Sequence, residues 1–402
     1  MNVTSEPRLD RPSTQKVLRI CLTGDVMTGR GIDQVLPHPC DAGLREGCVQ
    51  SAMEYVRLAE AANGPIPQPV TFSYVWGAAL DELGRTRADV RIVNLETSIT
   101  RSNRFAAKGI NYRMSPENAD CLAAAAIDCC TLANNHVFDF GHDGLLDTLS
   151  ALDHLHIKPA GAGRNAAEAN APAILDIARG ARVLVWSFAS TTSGVPRRWA
   201  ATRERPGVNL LPDTSVGTVA VISEQIARLR RPRDVVVISL HWEPNWGYEV
   251  PEQHRRFAHA LIDQADVSIV YGHSSHHAKA IEAYRNRIIL YGCGDFLNDY
   301  EGIEGYESYR DDLALLYVAD IDVASKAVVA LGLVPFQIRR FQLVRASEQD
   351  RQWLQQTLAR ESRGYGTTVE LSEEGRLRVY PSGNHGRAVT HHLVVRPAVS
   401  GE

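Results

Sequence analysis

No run of the chain approaches the ~18 consecutive apolar residues that a membrane-crossing helix needs, so no membrane anchor is expected. A basic excess is missing too. The 402 residues carry a formal net charge of -4, which gives no reason to expect nucleic acid or an anionic membrane as partner and leaves phosphate binding to local groups. Nor is there a disulfide framework. The seven cysteines are odd in number, Cys129 and Cys130 are adjacent, and Cys21 and Cys293 lie inside strand-like runs, a distribution that fits reduced thiols. The opening MNVTSEPRLDRPSTQK has neither a basic start nor an apolar core, and reads as a disordered leader over 1–16, not a signal peptide. The expectation is a cytoplasmic protein acting on a small molecule or a peptide.

With 44% apolar and 22% charged residues, a chain of this length can bury a large core. The reading is a main domain over 17–340, followed by a helix and hairpin extension with a weakly structured tail over 341–402. The main domain is punctuated by β-branched runs, and several of them end on chemistry. Residues 17–23 run into Gly24 and Asp25; residues 89–93 run into Asn94, Leu95 and Glu96; residues 128–132 lead to Asn135 and His136. Residues 235–240 end at His241, and residues 267–271 lead to His273 and His276. The helical PEQHRRFAHALIDQA between the last two strands is long enough for a parallel crossover, which puts His241 and His273 at one sheet edge.

Ligand sites in open α/β sheets lie outside the carboxyl ends of strands. A set of carboxylates, an amide oxygen and imidazoles suits a divalent first-row metal such as Mn, Fe or Zn, and is too rich in nitrogen for Ca or Mg alone. Any one of these residues alone is more often a hydrogen-bonded core group. Their shared position after strands of the same polarity is what carries the reading. The irregular 37–69 and 192–212 segments are expected to shape the rim of a pocket, the second by reaching over it. Trp242, Trp246 and Tyr248 are candidates for its floor, with packing against the rim loop as the other reading, and His277 and Lys279 are expected to face solvent.

The strings LTGDVMTGR, NLETSIT, LANNHVFDFG, LHWEPNW, YGHSSHHAKAIE and YGCGDF, in that order over residues 19–336, resemble the CapA/PgsA family of poly-gamma-glutamate capsule proteins, within the calcineurin-like metallophosphoesterase superfamily. The resemblance implies an α/β fold, an αββα sandwich of two mixed sheets flanked by helices, with a small C-terminal α+β extension. It implies that Glu96 is the acid shared between metal sites. Asn135, His241 and His273 would complete one site, with Asp25 and His276 serving a second. The histidine that phosphoesterases place two residues after the first acid is Met27 here, which the capsule family shares, so one tightly held metal with a weaker second is expected.

His136, beside the ligand Asn135, would face the substrate as general acid or base. Asp139 either orients its ring or caps the following helix. Arg30 either pairs with a substrate carboxylate or phosphate, or makes a surface ion pair. Asp295 stands where the family commonly has asparagine, as an acceptor for a metal-bound histidine. The resemblance is compatible with metal-assisted hydrolysis of a phosphoester, with peptide epimerisation of the lasso-peptide tailoring type, and with a non-catalytic metal-binding scaffold.

Overall fold

Strands that are apolar on both sides need cover on both faces, and the central runs of this chain find it. In the computed structural model, which describes residues 17–177, 180–242 and 244–382, they lie at the middle of two stacked sheets. The expected leader 1–16 lies outside the described residues, as does the end of the expected tail.

The larger sheet runs in the order Thr367–Leu371, Leu377–Pro381, Val328–Ile338, Leu313–Asp322, Val17–Val26, Val90–Leu95, Cys129–Thr131 and Lys158–Ala160. Val17–Val26 and its three successors are parallel, while Leu313–Asp322 joins Val17–Val26 antiparallel. The smaller sheet runs Ile281–Tyr284, Arg287–Leu290, Ile269–His273, Val235–His241, Ala181–Ala189 and Ala173–Ile177, with its four middle strands parallel. Crossovers, helical except for the edge strand Ile281–Tyr284 that precedes Arg287–Leu290, return each parallel strand to the same starting edge, so their carboxyl ends gather on one side of the molecule.

The period of two along a strand divides the core into layers. Leu22, Ile92, Val183, Val185, Val235, Val237 and Tyr271 fill the space between the sheets. The alternate residues Val236, Ile238 and Val270 face outward against Val219, Ile222, Phe257 and Leu261 of the helices Val216–Leu229 and Glu252–Ala265. On the other outer face, Cys21, Val93 and Cys130 meet Val56, Leu83, Leu145 and Leu149 of the helices Met53–Asn63, Ala78–Thr86 and Gly141–His154. The architecture is the expected αββα sandwich.

Beyond the expected elements, Asp295–Leu297 adds to Val17–Val26 in parallel and aligns Asp295 with Asp25. The strands Ala173–Ile177 and Ile281–Tyr284, unmarked in the sequence reading, edge the smaller sheet. The 192–212 segment is not a bare loop: it holds a turn at Arg197–Trp199 and a strand, Gly207–Val208, paired with Ala162–Gly163. After residue 340, Ser347 and Asp350 form a capping box that opens the helix Glu348–Ser362. The following hairpin pairs Leu377–Pro381 with Val328–Ile338 and so lengthens the larger sheet. All seven cysteines are unpaired thiols, six of them buried. Among the described residues no helix is long and apolar enough to cross a membrane.

A candidate metal centre at the shared strand ends

Asp25 owes its position to Gly24. A Cβ at Gly24 would lie 2.0 Å from the Gly294 carbonyl oxygen, so only glycine lets this strand approach the 293–295 segment closely enough for the Asp25 N–H to reach Gly294 O at 2.9 Å. Glu96 follows Val90–Leu95, and its N–H donates to Val26 O at 3.0 Å. His241 and His273 are register partners at the ends of adjacent parallel strands. The Tyr271 hydroxyl donates to Thr23 O, tying the two sheets together just beneath the site.

There the donor atoms of Asp25, Glu96 and His241 lie within 4.8 Å of one another, all buried. Asn94 Nδ2 bridges the carboxylates, donating to Asp25 Oδ1 at 2.9 Å and to Glu96 Oε2 at 3.3 Å. His241 Nδ1 contacts Ser193 Oγ at 2.8 Å, and Ser193 Oγ in turn donates to His241 O, which leaves Nε2 turned to Glu96 at 3.3 Å. His273 Nδ1 contacts Asp25 Oδ1 at 2.7 Å, while its Nε2 is buried with no hydrogen-bond partner among the described residues. Asn135 Oδ1 is buried and without such a partner as well.

Two orphaned buried atoms, a nitrogen lone pair and an amide oxygen, are costly unless something binds them. The carboxylates make the same point. Burial and the Asp25 charge push Glu96 far above the usual carboxylate range, whereas the flanking His273 and His241 outweigh burial and hold Asp25 below it. Two acids so close favour a cation between them. The residues present therefore fit a divalent first-row ion. His276 donates through Nδ1 to Asp295 Oδ1 at 2.9 Å, the acceptor role expected of Asp295. Met27 is buried and accepts from the Tyr300 hydroxyl at 3.7 Å, so that position offers no imidazole.

His136 borders this cluster, with Nε2 3.9 Å from Glu96 Oε1. Its Nδ1 lies 2.7 Å from Asp139 Oδ2, an oxygen that also accepts the Tyr112 N–H at 2.7 Å. Asp139 thus orients the ring. The helix Gly141–His154 is capped instead at Phe140, without a side-chain bond, so the capping reading of Asp139 does not hold. Burial, together with nearby Lys108, pulls the imidazole down to about 4 against the pull of Asp139, so the ring is neutral near pH 7. Lys108 was not singled out in the sequence. Its Nζ donates to Asp139 Oδ1 at 2.7 Å and to Asn135 O at 2.5 Å, fastening the loop that carries both site residues.

Arg30 lies elsewhere than either expectation. Its guanidinium sits between the rings of Tyr55 and Tyr112, 3.8 and 4.3 Å from their centroids. It donates twice to Asp299, at 3.1 and 2.5 Å, and to Glu46 and the Tyr55 hydroxyl. The pair is buried, not on the surface, and these donors are committed within the protein. Trp242 is packed in the outer layer, stacked on His254 at 4.4 Å, and is no pocket floor. Trp246 does stand at the site edge, stacked on Tyr306 and 5.3 Å from the His276 ring. His277 and Lys279 are buried, not solvent-facing: His277 Nε2 accepts from the Gly247 N–H, and Lys279 Nζ donates to Glu249 O.

An αββα sandwich with Asp, Glu, Asn and His gathered at the carboxyl ends of its parallel strands is the arrangement that the sequence resemblance implies. The chain matches the family "Bacterial capsule synthesis protein PGA_cap" over residues 19–300, and it belongs to that family. A Mycobacterium tuberculosis protein named "Probable polyglutamine synthesis accessory protein" is 46% identical over 370 residues, covering 92% of this chain and 97% of its own. The capsule biosynthesis protein CapA of Bacillus anthracis is 24% identical, over 80% of this chain and 68% of its own. Among solved structures, a phosphatase from Mycoplasma pneumoniae aligns with a TM-score of 0.44 at 13% identity, over 81% of this chain and 95% of its own.

Proposed function

We propose that this protein is a metal-dependent hydrolase of the phosphoesterase type, serving the capsule or polyglutamine synthesis for which its relatives are named. The observation that carries the reading is the His136 imidazole, held at Nδ1 by Asp139 and turned with Nε2 toward the Glu96 carboxylate. A buried structural metal needs no such oriented imidazole beside it.

Asp25, Glu96, Asn135, His241 and His273 would hold the ion, with His276 at the margin. A bound divalent ion supplies Lewis acidity toward a phosphoryl oxygen and acidifies a water to a pKa of about 7. The chain supplies the rest. Asn94 keeps the two carboxylates at a fixed separation, and Ser193 fixes the His241 tautomer. Asp139 holds the His136 proton at Nδ1, so Nε2 is the atom that exchanges a proton with the substrate. Lys108 neutralises Asp139 and pins the Asn135 carbonyl. No contact in the site favours the epimerase reading over this one.

The test is a chromogenic phosphodiester with Mn, alongside metal analysis of the purified protein. His241→Ala is expected to lose metal and turnover together, whereas His136→Ala keeps the metal and loses turnover. Unimpaired turnover in His136→Ala, or none in the metal-loaded wild type across phosphomonoesters and diesters, would count against the proposal.

A further inference from the structure

A cavity of about 440 Å³ lies away from the metal cluster, between the helix Ala78–Thr86, the strand Leu343–Arg345 and the C-terminal hairpin. Its lining includes four arginines, Arg85, Arg345, Arg351 and Arg376, against two glutamates, Glu82 and Glu374, with Val334 and Pro335 as an apolar wall. It shares no residue with the metal cluster.

Glu82 is buried, and its two oxygens already accept from Arg85, Arg345 and Arg376, each at 2.8 Å. One carboxylate cannot use the donors of three guanidinium groups, each of which presents five N–H bonds. Arg351 adds a fourth. It gives Nη1 to Ala346 O at 3.0 Å, while its buried Nε has no partner among the described residues. In a chain whose formal charge is -4, this concentration of guanidinium around a cavity is local and specific. Glu82 gathers three of the arginines, and all four line the cavity with more N–H groups than this one carboxylate can take up.

We propose that this cavity binds a small organic anion bearing two or more phosphate or carboxylate groups. Arginine forks match both oxyanions bidentately, and the Val334 and Pro335 wall takes the apolar part of the molecule.

Isothermal titration of the full chain, stripped of metal with EDTA, uses pyrophosphate and citrate as probes, so that neither is read through a bound ion. At least one probe is expected to bind with one-to-one stoichiometry. Arg345→Gln with Arg351→Gln should weaken it about tenfold or more, the scale of losing charge-assisted bonds, while His241→Ala leaves it unchanged. Stronger binding of pyrophosphate assigns a phosphate ligand, and stronger binding of citrate a polycarboxylate. Should the double variant melt early, Arg85→Gln, whose side chain is 47% exposed, removes another lining arginine without touching the core and should weaken binding likewise. Neither probe binding, binding unaltered by the arginine variants, or binding lost in His241→Ala would overturn the assignment.

Discussion

Replacing Asp139 by asparagine keeps the size of the side chain and removes its charge, and the geometry leaves the amide no good orientation. Asp139 Oδ2 serves both His136 Nδ1 and the Tyr112 N–H, while Oδ1 serves Lys108, all three at 2.7 Å. If the amide oxygen takes the Oδ2 position, its NH2 confronts the Lys108 ammonium, donor against donor. If it is reversed, the Tyr112 N–H loses its acceptor, and Nδ1 must give up its proton to face an NH2, which moves the proton to Nε2. The first case costs one charge-assisted bond at a site where Lys108 is 24% exposed, and the second loses a buried backbone bond as well. Asp139→Asn is therefore expected to lower unfolding stability by about 1.5–3 kcal/mol. Turnover of the phosphodiester should fall by about 10²- to 10⁴-fold, the range for a lost or mis-set proton-transfer group. Asp139 touches no candidate ligand atom, so metal content should stay at the wild-type level and kcat should fall more than KM. Nitrogen-15 chemical shifts of the His136 ring should report the displaced proton. Wild-type turnover with a displaced tautomer would refute the role of Nε2. Loss of metal in step with activity would make Asp139 a support of the metal loop instead.

Gly24→Ala places a methyl 2.0 Å from a backbone oxygen that has no room to retreat. It should destabilise the fold by about 1–3 kcal/mol and lower metal stoichiometry by shifting Asp25, and unchanged melting with full metal content would contradict the close-approach argument. Glu82 is expected to govern part of the acid stability. Its arginine partners outweigh burial and hold its pKa below the ordinary value of 4.5, so its contribution is complete above that pH and fades as pH falls through the folded-state value. The stability difference between wild type and Glu82→Gln should accordingly shrink below about pH 4.5 in acid-denaturation curves, and a constant difference would exclude the mechanism.

The positions of Asp25, Glu96, His241 and His273 were legible because each sits one to three residues from the end of a β-branched run, where strand polarity alone fixes which edge it reaches. Asp139 was legible as a pair of alternatives, and only the contact with Nδ1 divides them. Lys108 and Ser193 were not legible. They come from segments without periodicity, 31 and 48 residues in sequence from the groups they hold, and such distances carry no signal in one sequence. Arg30, His277 and Lys279 were misplaced for a related reason. Charge suggests exposure, but Asp299 and the two tyrosines, the Gly247 N–H and the Glu249 carbonyl satisfy these groups inside the protein.

What neither sheet reveals alone is that the candidate centre is divided between them. Asp25, Glu96 and Asn135 come from the larger sheet, and His241 and His273 from the smaller. They meet only because the layer of Leu22, Ile92, Val185, Val237 and Tyr271 sets the spacing of the sheets, with the Tyr271 bond to Thr23 fixing their alignment next to the ligands. In the separated sheets the two carboxylates would still lie side by side, but without the imidazoles that hold Asp25 ionised. A metal ion held by both sets would act as a clasp across the sandwich, and its binding free energy would then also be stability of the inter-sheet contact. The ordered core in turn is what makes the cluster a ready-made site and not a collection of surface acids.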